Sequence, residues 1–248
     1  MSRSSGLLLL VAIATVIGVL TLGPIAQDLD YHQFADRRQF WVIPNSLDVL
    51  TNLPFVVIGI LGLQRCAWHR DNRLFWPFLT IFIGIFATAY GSAYYHWAPS
   101  NESLIWDRLP MTIAFMGVFC MVLADRIDVR WLQALLPLLL VGAGSVWYWA
   151  WTEVNGAGDL RPYVLVQFLP LLLVPLILIL YAAPRRDLFC YIGLFCSYVL
   201  AKLLEYFDGA VFELSGLVSG HSLKHLAAAL AAFFLYRLWV KHTQEWID

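Results

Sequence analysis

Ser92 and His96 stand four residues apart near the end of one apolar run. His221 and His225 stand four apart at the start of the last such run. Residues four apart share a face of an α-helix, so His221 and His225 can present two imidazole nitrogens to one ion, a common way of binding zinc. His96 supplies a third nitrogen. Three protein ligands leave a fourth position open, which is the pattern of a catalytic rather than a structural zinc site. Ser92 shares the helix face of His96 and could reach the same bound ligand. Asp107, one short loop away, could orient or deprotonate a water or hold a histidine in place. Each feature also has a plainer use. Membrane histidines make proton relays and helix–helix hydrogen bonds. Ser92 could be a packing serine, Asp107 with Arg108 could cap a helix, and Lys202 with Glu205, three apart, could simply neutralise each other. His32, His69 and His242 fall in loops or the tail, where a solvated side chain is expected.

The elements that carry these residues follow from composition. Of 248 residues, 60% are hydrophobic and 13% charged, against roughly 25% charged in soluble domains. A soluble fold of this size would have to expose large apolar patches, and a disordered chain would be richer in charge. The net charge of −1 lacks the clustered base of a nucleic-acid binder, so no nucleic-acid partner is expected. The remaining class is an all-α integral membrane protein whose partner is the bilayer. A spanning helix needs about 20 apolar residues, and eight runs qualify: 6–26, 47–65, 74–97, 109–124, 131–151, 162–182, 188–207 and 219–240. The first is too long for a signal-peptide core and lacks a clean cleavage site, so it reads as a real helix. Strand alternation is absent. Pro110, Pro170 and Pro175 fall inside helical stretches, where membrane neighbours tolerate them. Cys66, Cys120, Cys190 and Cys196 show no metal or disulfide spacing and read as small apolar core residues.

Basic residues set the orientation. Arg3, Arg65, Arg70, Arg73, Arg126, Arg130, Arg185, Arg186, Arg237 and Lys241 fall on one face, and Arg37, Arg38, Arg108 and Arg161 on the other. The first face, with both termini, is expected to be cytoplasmic. Alternation of the spans brings four polar patches to one depth on the exoplasmic side. They are the end of span 3 (Ser92, His96), the start of span 4 (Asp107), the end of span 7 (Lys202, Glu205, Asp208) and the start of span 8 (His221, Lys224, His225). Ionisable groups inside a membrane are functional hypotheses by default. Near the other halves of spans 3, 4, 7 and 8 only Arg237 is read as ionisable, which argues against a proton or ion pathway.

Together these segments resemble the alkaline ceramidase family, within a wider group of seven-helix membrane hydrolases and receptors. The resemblance rests on Ser92-x3-His96, the phrase Asp107-Arg108-Leu109-Pro110-Met111, His221-x3-His225, and the Asn-rich opening Asn45 to Asn52 of the first core helix. It divides the chain into 1–44, an extra N-terminal transmembrane helix with an exoplasmic loop, and 45–248, a seven-helix catalytic domain. It implies zinc on His96, His221 and His225, Ser92 as a stabiliser of the oxyanion, and Asp107 as general base and then acid. The substrate it implies is the amide of ceramide or a ceramide-like lipid, cleaved to a fatty acid and a sphingoid base. Eukaryotic members carry an acidic, tryptophan-containing calcium segment and a glutamate at the start of the first core helix. Here Asp28, Asp30 and Asp36 are arranged differently and Asn45 stands where the glutamate is expected, which puts calcium dependence in doubt. The pattern is more similar to the bacterial branch, implying a bacterial inner membrane. The competing reading is a receptor or sensor on the same scaffold with structural zinc. The presence of both Ser92 and Asp107 favours the enzyme, since a structural zinc needs neither.

Overall fold

The structure, a computed structural model, describes residues 3–244. Its helices are α1 (Arg3–Thr21), α2 (Ser46–Leu50), α3 (Leu53–Trp68), α4 (Phe75–Trp97), α5 (Asn101–Arg126), α6 (Leu135–Val154), α7 (Arg161–Leu180), α8 (Arg185–Tyr206), α9 (Asp208–Ser215) and α10 (Gly220–Gln244). Short 3-10 turns lie at Leu29–His32 and Val129–Ala134. Among the described residues there is no named strand, and eight helical segments are long and apolar enough to cross a membrane. The chain is therefore an all-α, multi-pass membrane protein. All eight expected spans are present, and Pro110, Pro170 and Pro175 lie inside helices.

The boundaries differ most at the fourth span. The apolar pattern starts near residue 109, but α5 begins at Asn101. Ser100 caps it: its Oγ accepts from the Ser103 N–H at 3.1 Å, and Ser103 Oγ accepts from the Ser100 N–H at 3.0 Å. This reciprocal box satisfies two backbone donors at the helix start. The two polar turns that follow read as loop by hydropathy. They are helical because Asp107 and Arg108 turn inward and are buried. Asp107 is therefore neither in a loop nor a cap residue.

Small residues set how closely the helices approach. A Cβ on Gly91 of α4 would lie 1.9 Å from the Trp106 carbonyl oxygen of α5. A Cβ on Gly220, the first residue of α10, would lie 2.2 Å from the Leu204 carbonyl oxygen of α8. Both contacts are adjacent in sequence to expected site residues. The second span is broken: Asn45 is left-handed (φ 43°), α2 ends after one turn, and Pro54 starts α3 without an N–H to continue the ladder. Cys66, Cys120 and Cys190 are buried as expected, whereas Cys196 is exposed, because it lines an open apolar cavity between the helices.

α1 packs against α7 and leaves most of its apolar side chains exposed, as a lipid-facing helix does. The chain from residue 22 to 45 then crosses one end of the bundle. The Leu160 N–H donates to the Ile25 carbonyl at 2.8 Å, and the Gln27 N–H donates to Glu153 at 2.6 Å. The Ala35 N–H donates to Asp208 Oδ2 at 3.0 Å. The loop thus closes over the end of the bundle that holds Ser92, His96, Asp107, His221 and His225.

Candidate metal centre

His96 comes from the last turn of α4, and His221 and His225 from the first two turns of α10. All three are buried. The Nε2 atoms of His96 and His225 lie 3.2 Å apart, and those of His221 and His96 lie 3.4 Å apart. A tetrahedral zinc with Zn–N bonds of about 2.0–2.1 Å separates its nitrogen ligands by roughly 3.3 Å. The donor set fits such an ion, two of its three nitrogen separations match that distance, and all three nitrogens lie within 4.8 Å of one another; among the described residues this is the histidine, cysteine or carboxylate group that could hold a metal.

The surrounding bonds fix how the rings present themselves. The Thr51 hydroxyl donates to the Leu47 carbonyl at 2.7 Å, so its oxygen accepts from His225 Nδ1–H at 2.9 Å. That tautomer leaves a lone pair on His225 Nε2, as a metal ligand requires. The break between α2 and α3 is what brings Thr51 to this position. Asn45 Nδ2 donates to the His96 carbonyl at 2.8 Å, and the His221 backbone N–H donates to Asp208 Oδ1 at 2.7 Å. Ser222 donates to the fully buried Asp48 at 2.5 Å. Phe34, carried by the covering loop, packs 4.7 Å from both the His96 and the His221 rings and shields that side from water.

Ser92 and Asp107 are brought to the same place. Both line a cavity of about 230 Å³ together with His225, Tyr31, Arg108, Lys202, Glu205 and Lys224. A second cavity of about 410 Å³, almost wholly apolar, lies between α5, α7, α8 and α10. The two share a wall of Phe55, Thr88, Met111, Gln167, Tyr198 and Ala228. Glu205 pairs with Lys202, three residues earlier, and also with Lys224 Nζ at 2.6 Å, and it accepts from the Tyr31 hydroxyl at 3.0 Å. Burial, and then the Glu205 carboxylate, hold the Tyr31 phenol well above its ordinary range, so it remains a donor.

The profile of the ceramidase family matches residues 40–186, more than half of the chain. The chain belongs to the ceramidase family. It is accordingly an amide hydrolase of the ceramidase type that acts on lipid at the membrane. Searches of curated proteins and of solved structures returned no match. The ceramidase match includes Ser92, His96 and Asp107 and stops before His221 and His225. The matched segment and the last two spans meet at the three-histidine group.

Two expectations are corrected. His32, His69 and His242 are not freely solvated. The His32 ring nitrogens lie 2.9 Å from the Tyr95 hydroxyl and 3.0 Å from Asn101 Oδ1. His69 has its Nδ1 buried, and its pKa is lowered by burial and then by Arg65. His242 is buried 3.7 Å from Asp125. The far halves of the spans are also not free of ionisable groups. Asp125, paired with Arg73 at 3.0 Å and with Arg126, is buried there, as are Asp187 and His242. The layer between this cluster and the metal centre is apolar, built from residues such as Phe78, Ile81, Phe82, Met121, Ala232 and Leu235. Sequence reading did not find Phe34, Thr51 or the metal-side role of Asp208. The acidic and Asn-rich character of residues 28–52 hinted at Phe34 and Thr51, and the polar patch at the end of span 7 hinted at Asp208.

Proposed function

We propose that the chain is a zinc-dependent amidohydrolase that cleaves the N-acyl amide of ceramide or a ceramide-like lipid. The observation that carries this is the convergence of three imidazole Nε2 atoms, at 3.2 and 3.4 Å, beside a cavity that also presents Ser92 and Asp107. A zinc held by His96, His221 and His225 would supply a Lewis acid that polarises the amide carbonyl and acidifies a water. Asp107 takes the proton of the attacking water and returns it to the leaving nitrogen, so one water adds across the C–N bond and a fatty acid and an amine leave. The Ser92 hydroxyl donates to the oxygen that becomes negative, a contribution of a few kcal/mol in comparable sites. The apolar cavity takes the acyl chain and sets the amide at the shared wall. Phe34 and the covering loop shield one side of the His96 and His221 rings from bulk water. In this reading residues 45–248 are the catalytic unit and residues 1–44 add a helix and the cover. The excess of basic residues at the opposite end supports a topology with both termini in the cytoplasm and the three histidines toward the exoplasmic face.

The test is a hydrolysis assay on purified full-length protein with a panel of N-acyl lipids, with and without a zinc chelator. Release of fatty acid that stops with the chelator and returns on adding zinc is expected. Release that ignores the chelator overturns the metal role, and no release from any lipid overturns the activity.

A further inference from the structure

The polar cavity holds a charge arrangement that hydrolysis of a neutral amide does not require. Arg108 follows Asp107 in α5 and lines the same cavity while being only 7% exposed. Its guanidinium carbon sits 4.3 Å from the centre of the Trp149 ring and 4.8 Å from that of Tyr163, which fixes its plane. Its Nη2 donates to Gln27 Oε1 at 2.6 Å, and its Nη1 is buried without any partner. Among the described residues Arg108 forms no ion pair. Glu205, the other acid on this wall besides Asp107, is already held by Lys224, Lys202 and Tyr31. The cavity wall thus carries three cations against two acids. A buried guanidinium with an unmet donor and no counter-ion is costly, and the cost is removed when an anionic oxygen enters the cavity.

We propose that Arg108 binds an anionic group on the amine side of the scissile amide, so that the preferred substrate is an acidic N-acyl lipid rather than a neutral one. The assignment rests on the amidase reading above, in which the apolar cavity takes the acyl chain and leaves the polar cavity for the amine side. Water then adds across the C–N bond as before. The acyl carbon gains the hydroxyl, the nitrogen gains the proton, and the released amine keeps its anionic group against Arg108. Lys202 and Lys224 balance Glu205 and keep that wall from repelling the anion.

Three amides decide the matter on the purified full-length protein: N-palmitoylglycine, which is anionic, and N-palmitoylethanolamine and N-palmitoylsphingosine, which are neutral. A charge-assisted bond to a buried guanidinium predicts a preference in kcat/KM of about tenfold to a hundredfold for the anionic amide. In Arg108→Gln that ratio falls toward one, and Arg108→Lys, which keeps the charge and loses the fork, restores part of it. A wild type that prefers the neutral amides, or a ratio unchanged in Arg108→Gln, overturns the proposal. Equilibrium binding of the same compounds to the same protein keeps the two readings apart. If none is cleaved, the amidase reading fails, and tighter binding of N-palmitoylglycine than of N-palmitoylethanolamine still upholds the anion site, whereas equal binding overturns it. Palmitate is the control for a pocket that merely holds the free acid. Palmitate binding as tight as N-palmitoylglycine, and equally weakened in Arg108→Gln, overturns the substrate assignment. Because the binding comparison needs only wild type, a poorly folding Arg108 variant leaves the proposal decidable.

Discussion

Asp107 is buried inside a helix, on a cavity wall that Ser92 and His225 also line, the setting that the proposed base requires. On the proposed mechanism, Asp107→Asn removes the proton acceptor and leaves the three histidines in place. It is expected to keep its metal and lose about 10²–10⁴ in kcat/KM, the usual worth of a positioned acid–base group. Ser92→Ala is expected to lose about 10²–10³, the usual worth of one oxyanion donor. Initial rates with metal content measured on the same samples check both, and a fully active Asp107→Asn would remove its role. The histidine pair and the Ser92–His96 pair were legible because four-residue spacing fixes a shared face whatever the tertiary structure. The setting of Asp107 was not, since the polar turn around it lowers local hydropathy and looks like a loop until burial is known. The bond from Thr51 to His225 joins residues far apart in sequence, and no local pattern encodes it.

At the level of elements, the site depends on helices that approach without side chains between them. Gly91→Ala would force its Cβ into the Trp106 carbonyl. Overpacking of this kind costs about 1–3 kcal/mol and would push the start of α5, with Asp107, away from α4. A lower Tm together with reduced hydrolysis is expected. Gly144→Ala is the control, because nothing lies within 4 Å of a Cβ there and helix propensity favours alanine by roughly 0.8–1.0 kcal/mol. Equal behaviour of the two variants in thermal unfolding would contradict the packing argument. The spans themselves were readable because about 20 apolar residues in a row have few alternatives. The covering segment 22–45 was not, since it has almost no regular structure and its place is set by contacts with Glu153, Leu160 and Asp208 on other elements.

Across the whole molecule, polar chemistry sits at two ends with an apolar layer between, and the N-terminal helix is tied to the end that holds the three histidines. Arg161 makes that tie. It donates to the Leu20 and Leu22 carbonyls at 3.0 and 2.6 Å and pairs with Asp159 at 2.8 Å. Hydrogen bonding from Arg161 holds the Asp159 carboxyl at about 2, below its ordinary 3.8. A depressed folded-state pKa means that the contribution to stability is complete above about pH 4 and lost as pH falls toward about pH 2. Thermal unfolding in detergent is expected to show that loss, and Asp159→Asn to flatten it; an identical acid profile in the variant would contradict the tie. The resemblance across separated blocks was legible at this scale, whereas the buried Asp125, Asp187 and His242 cluster was not, because charged residues at span ends read as solvated until packing closes over them. The most direct test of the central claim is the metal content of the purified full-length chain set beside its activity. Wild type is expected to hold about one zinc per chain, and His225→Ala to hold none and release no fatty acid. An active wild type without zinc would contradict the account.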